Sequence, residues 1–140
     1  MIKYTAPDTM ELHEAAVMSY RSPGKIAMAR RGLYMQDVLD IAHRLSLSLS
    51  DLSPILHTSQ RSLQRYAPDK VLSTDLSSIV LMLRDLHSHA SDIIGEDHVA
   101  GWLREHVPAL GCTPLSLLDT PFGFVQVSDT LSRIAHGIYA

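Results

Sequence analysis

The sequence predicts an all-α fold, and three observations carry that prediction. Hydrophobic residues make up 46% of the 140 residues but aromatics only 6%, so a core must be built from Leu, Ile, Val, Met and Ala. Apolar residues recur at spacings of three and four, not two. Ser, Thr, Gly and Pro fall where those periodic stretches begin and end, as helix caps and stops do. The length fits one compact domain or two very small ones.

Asp8-Thr9-Met10-Glu11 reads as a capping stretch, with a helix following to about Ser19. Ser22-Pro23 opens the next helix, serine as the cap and proline at the first position, where its missing N–H costs nothing. Gly32 ends it in a left-handed conformation, behind the cations Arg30 and Arg31 that suit a helix C-terminus. Residues 35–45 place Val38, Leu39, Ile41, Ala42 and Leu45 on one stripe. The LSLSLS alternation that follows imitates a strand, but its serines can cap short helices and no partner strand is visible. A helix opens at Ser48 or Ser50 and ends near His57, with Pro54 awkward inside it. Alternatively, Ser53 is the cap and Pro54 the first residue. Ser59 caps residues 60–66, and Pro68 ends that helix.

The longest helix starts at Thr74 or Asp75 and runs to about Ile94, with Leu76, Ile79, Val80, Leu83, Leu86 and Ala90 in helical register and Gly95 as its stop. Short helices over 97–105 and 114–118 follow, the first holding Trp102 and Leu103. The final helix spans 124–138, with Val127, Leu131, Ile134 and Ala135 facing inward.

The single cysteine excludes an internal disulfide framework and a multi-thiolate metal site, and points to a reducing cytoplasm. The N-terminus has no apolar signal-peptide region, and no run of about 18 apolar residues spans a membrane. Net charge is −3, unevenly spread: −2 over residues 1–20, +4 over 21–70 and −5 over 71–140. A basic middle between acidic ends can present a local positive face.

No constellation rises to catalysis. Cys112 precedes Pro114, yet no histidine can be paired with it from sequence, and a small Cys beside Gly111 fits a packed corner. His13-Glu14 begins like a zinc-protease helix, but Val17 stands where the second histidine belongs. His87 and His89 lie on different sides of one helix, and His98 and His106 flank another. No metal, cofactor or catalytic residue is expected.

Residues 49–66 are more informative. They read as a helix, a tight turn and a second short helix carrying Ser59, Gln60, Arg61, Gln64 and Arg65, with Leu63 turned to the core. Arg can fork onto guanine and Gln can pair with adenine, so these five residues are candidate DNA contacts. The turn reads His57-Thr58 where such motifs often place glycine.

From residue 31 the chain resembles a known family. RRGLYMQDVLDIAHRLSLSLSDLSPILHTSQRSLQRY is similar to the Xre-like region of the Xre/MbcA/ParS antitoxins. DIIGEDHVAGWLREHVPALGCTPLSLLDTPFGFVQVSDTLSRIAHGIYA is similar to their toxin-binding domain. The residues that carry it are Trp102-Leu103, Leu110-Gly111, Thr113-Pro114, Leu117-Leu118, Thr120, Gly123, Val127, Leu131, Arg133-Ile134, His136-Gly137 and Tyr139. The departures are Cys112, where a second glycine is frequent, and Leu76 after the acid Asp75, where serine is frequent. The resemblance implies an N-terminal extension over 1–20, an Xre-like helix-turn-helix region over 21–73, a long connecting helix over 74–94 and a toxin-binding domain over 95–140.

It further implies an antitoxin whose C-terminal domain covers the active-site entrance of a cognate RES-domain toxin that degrades NAD+. The complex would also repress its own promoter. Arg133, Ile134, His136, Gly137, Ile138, Tyr139 and Trp102 are the expected toxin contacts. Palindromic operators imply a homodimer, with 75–94 as either its seam or simply core. The competing reading is a stand-alone helix-turn-helix repressor with no toxin partner.

Overall fold

The computed structural model describes residues 23–137, so the capping stretch at Asp8, the Ser22 cap, Ile138 and Tyr139 lie outside the described residues. Among the described residues there are seven α-helices and one 3-10 turn, in an order that matches the all-α expectation. They are α1 (Pro23–Arg31), α2 (Met35–Leu45), α3 (Leu49–Leu56), α4 (Gln60–Arg65), α5 (Thr74–Ile94), α6 (Glu96–Leu103), the 3-10 turn (Pro114–Leu117) and α7 (Pro121–Ala135).

Helix α5 is the spine. Its 21 residues are capped by Ser73, whose Oγ accepts the Leu76 N–H, and stopped by Gly95 at φ 88°. Val80, Leu83, Leu86 and Ala90 are buried as their spacing predicts, and Leu81 and His87 widen the buried face beyond one stripe. That breadth follows from its position, because α1, α2, α3, α6 and α7 all pack on α5. At its first turn the buried Ser77 hydroxyl accepts the Leu33 N–H at 2.9 Å, tying the α1–α2 connection to the spine.

The connection before α2 lies antiparallel to the one before α5, through a Tyr34–Val71 bridge and the Leu72 N–H to Leu33 carbonyl bond of 2.7 Å. Asp37 then serves two partners. One carboxylate oxygen accepts the Tyr34 N–H at 2.8 Å at the start of α2, and the other pairs with Arg84 of α5 at 2.6 Å. Met35, Val38, Ile41, Ala42 and Leu45 are buried, but Leu39 is 37% exposed and leaves the predicted stripe. At about 100° per residue, Leu39 falls well round from Val38 and off the face toward the spine.

The open choice over α3 resolves at Ser48. Its Oγ accepts the Asp51 N–H at 3.1 Å, and Asp51 returns a bond from the Ser48 N–H at 2.9 Å. Pro54 therefore lies inside the helix, exposed, with two helical residues after it. Helix α7 begins at Pro121, three residues ahead of the expected start, because Thr120 caps it and proline suits the first turn. Phe124, Val127 and Leu131 are buried, Ile134 is half-buried, and Ala135 is exposed rather than inward.

Candidate functional site

Two surfaces carry the candidate residues. The first is α3–turn–α4. Its turn is held by the Thr58 N–H to the Ser53 carbonyl at 3.2 Å, the Ser53 hydroxyl to the Thr58 carbonyl at 2.8 Å, and the Thr58 hydroxyl to the Leu56 carbonyl at 3.0 Å. His57 occupies the left-handed region at φ 52° and ψ 39°, the conformation glycine would take there. Leu56 and Leu63, each 2% exposed, pin the two helices inward.

This leaves Gln60, Arg61, Gln64 and Arg65 exposed on the short α4. Ser59 is also exposed, but its hydroxyl is engaged in the cap: it accepts the Ser62 N–H at 3.1 Å and donates to the Ser62 hydroxyl at 2.9 Å. Just past the helix the Lys70 ammonium sits 4.7 Å from the Tyr66 ring centroid. This positions another cation beside the same element. No helical spacing signals it in the sequence, because Tyr66 and Lys70 lie past the end of α4.

The second surface is the end of α7, aimed by the corner that precedes it. Gly111 takes φ 72°, Val107 and Cys112 form a small antiparallel bridge, and Pro114 is buried. Thr113 Oγ1 accepts the Ser116 N–H, and Thr120 Oγ1 accepts the Gly123 N–H. Gly123, unlike Gly111, does not use positive φ. It lies in the first turn of α7 against the 3-10 turn, where a Cβ would stand 1.6 Å from the Leu117 carbonyl oxygen. Glycine is required there for space.

So aimed, α7 ends with Arg133 exposed on its last turn and His136 and Gly137 exposed in the turn that closes it, with Ile134 half-buried beside them. The chain there closes through the His136 N–H to Arg133 carbonyl bond at 3.1 Å and the Gly137 N–H to Ile134 carbonyl bond at 3.0 Å. Trp102 stands on another helix, α6, half-buried against the core. Phe122, 84% exposed at the other end of α7, carries no helical-face signal in the sequence because it precedes the periodic stretch.

Arg104 joins the two halves. From the C-cap of α6 it reaches the Asp51 carboxylate at 2.7 Å and the Ser46 carbonyl at 3.0 Å. The Arg104 hydrogen bond, helped by the Ser48 backbone and hydroxyl, holds the Asp51 carboxyl below its ordinary value despite partial burial.

Cys112, His89 and His87 each make separate local contacts. The half-buried Cys112 thiol donates to the Leu110 carbonyl at 3.5 Å. His89 Nε2 meets the Ser128 carbonyl and Ser132 hydroxyl of α7, a packing role. His87 faces Glu96 at 4.0 Å in a cleft of about 460 Å3 whose charges, including Arg44, Arg84, Asp40 and Asp92, are of mixed sign. Among the described residues no group of three or more His, Cys, Asp or Glu is placed to hold a metal ion, and no helix is long and apolar enough to cross a membrane.

Comparison with known proteins supplies an independent view of these surfaces. Residues 25–84 match the model of the antitoxin Xre-like helix-turn-helix domain. Residues 89–137 match that of the antitoxin Xre/MbcA/ParS C-terminal toxin-binding domain. A protein named Antitoxin Xre from Photorhabdus laumondii subsp. laumondii is 29% identical over 124 residues, which cover 86% of this chain and 84% of that protein.

Proposed function

Because the chain carries the helix-turn-helix and toxin-binding domains of the Xre/MbcA/ParS antitoxin family, we propose that it neutralises a RES-type, NAD+-degrading toxin by setting the end of α7 across that enzyme's active-site entrance. The observation that carries this reading is the grouping of Arg133, His136 and Gly137, exposed at the end of the matched toxin-binding domain. Arg133 offers a planar fork of donors suited to a pocket that accepts a dinucleotide's phosphates. His136 adds directed polarity and Ile134 apolar area, a combination that favours interface anchors. Ile138 and Tyr139 extend this set beyond the described residues, and Trp102 supplies a second contact from α6.

Truncation after Ser132 tests it. Co-expressed with the toxin, the full chain preserves cellular NAD+, and the truncated chain lets it fall. Full protection by the truncated chain rules out the α7 terminus as the plug.

The exposed row on α4 supports a further role in autorepression: Gln60, Arg61, Gln64 and Arg65 read the operon's promoter, Ser59 positions the helix, and two copies bind as a dimer. Replacing Arg61 and Arg65 together with Ala weakens promoter binding by about 1–3 kcal/mol for each bidentate base pairing removed. Unchanged affinity at physiological salt would remove this role. A stand-alone repressor, by contrast, would act at full strength without any toxin.

A further inference from the structure

The chain just past α4 is held at several points. Ala67, Pro68, Asp69 and Lys70 form a β-turn with proline at its second position, closed by the Lys70 N–H to the Ala67 carbonyl at 2.9 Å. Two carbonyls of that turn cap another helix: Pro68 accepts the Gln36 N–H at 2.8 Å, and Lys70 accepts the Met35 N–H at 2.9 Å. N–H groups at the start of a helix such as α2 have no partner within it. Two residues on, the Leu72 N–H reaches the Leu33 carbonyl at 2.7 Å. The backbone of Lys70 is therefore fixed to α2 and, through the C-cap residue Tyr66, to the end of α4.

The Lys70 side chain is exposed, and its ammonium lies 4.7 Å from the centroid of the Tyr66 ring. Lys25, Arg84 and Arg104 each face a carboxylate instead. Among the described residues no acid pairs with Lys70, Asp69 of its own turn included. A carboxylate cancels a cation's charge. An aromatic face orients an ammonium and leaves its charge for another anion. On α4 itself, Arg61 and Arg65 are exposed on the side opposite the buried Leu63. A DNA major groove about 12 Å wide puts its midline roughly 6 Å from a phosphate wall, within reach of a lysine's four-carbon stem.

We propose that Lys70 is a phosphate-backbone contact of this chain on double-stranded DNA. Tyr66 steers its ammonium beside α4, where it meets a strand flanking the base pairs that Arg61 and Arg65 read. Lysine suits that role, being a point charge without the planar fork that recognises base edges. The inference rests on the promoter-binding reading and adds to it a residue that sets position rather than sequence.

The test titrates the full-length chain against two duplexes of equal length, the operon's promoter and an unrelated sequence, across a salt series. Lys70→Gln is expected to lower affinity for both duplexes by the same factor. The plot of log K against log salt should become shallower by about 0.9 per copy bound. Lys70→Arg should restore the slope. Tyr66→Leu keeps the cation and loses the ring, so affinity falls while the slope stays native. Helical circular dichroism checks that each variant is folded. An unchanged slope for Lys70→Gln overturns the proposal, and so does a loss confined to the promoter, which would make Lys70 a base reader. Native affinity in Tyr66→Leu overturns the steering by the ring. A native chain that binds neither duplex sinks the promoter reading and this inference together. A native chain that binds while Lys70→Gln keeps its slope sinks the inference alone.

Discussion

The molecule turns its chain between helices in two different ways. In the α2–α3–α4 half, reversals depend on polar side chains and on ordinary residues held in left-handed conformations: Ser46 at φ 55° and His57 at φ 52°. In the corner between α6 and α7 they depend on Gly111, Pro114, Pro121 and Gly123, with Thr113 and Thr120 as caps. The first solution leaves exposed side chains at each turn, which suits an element that must present a polar surface. The second buries Pro114 and Gly123 and fixes where α7 starts, which suits an element that must aim a terminus. The difference teaches that the corner is intolerant of added atoms at Gly123, whereas Gly111 and the turns of the other half are limited by backbone strain.

Substitutions at the reversals put that contrast under load. Gly123→Ala should have the largest effect, because the new Cβ would meet the Leu117 carbonyl at 1.6 Å. A loss of about 3 kcal/mol or more in urea unfolding is expected, with α7 displaced. A loss under about 1 kcal/mol would mean that the 3-10 turn gives way easily, and the contrast would fail. Gly111→Ala isolates conformation from space, since nothing lies within 4 Å of its added Cβ but φ is 72°. It should cost about 1–2 kcal/mol. His57→Gly reverses the sign: it releases a left-handed non-glycine residue and should stabilise the turn by about 0.5–1 kcal/mol in the same measurement, once the entropy of glycine is subtracted. Destabilisation instead would show that the imidazole contributes more than its backbone costs.

The smallest effect lies at the link between halves. Asp51→Asn weakens the Arg104 pair, 46% and 22% exposed on its two sides, for about 0.5–1 kcal/mol. Because the folded-state carboxyl lies below its ordinary 3.8, the stabilisation is fully present above the unfolded value and lost as pH falls through the folded one. The stability gap between the native chain and Asp51→Asn should therefore be constant near neutrality and close in acid. A gap that widens in acid would contradict the assigned direction.

Much of this architecture is legible in the sequence because caps and periodicity are local. Ser59, Gly95 and Pro114 announce their helix ends within a few residues, and the α5 stripe repeats often enough to be read. The start of α3 is ambiguous there because three serines compete, and the choice depends on Asp51 bonding back to Ser48. The periodic stretch places the start of the final helix at 124, although Thr120-Pro121 serves as its cap and first helical residue. Residue type and spacing place Leu39 and Ala135 inward, but burial depends on how far a neighbour extends along each face. The need for glycine at Gly123 leaves no local signal, since its constraint comes from Leu117 on another element. Arg104 gives no sign of its role, because a bond spanning 53 residues leaves no periodic trace. For the candidate surfaces, sequence reading locates the α4 row and the α7 terminus, but not Lys70, nor the exposed Phe122.

Helix α5 gives both halves their floor. A region that shares its central strut with its neighbour has no private stability to lose. Stretching or proteolytic capture from either end should melt the whole chain in a single step, so that whatever each surface holds is released at the same moment. Turnover of such a molecule works as an on-off event rather than a gradual weakening.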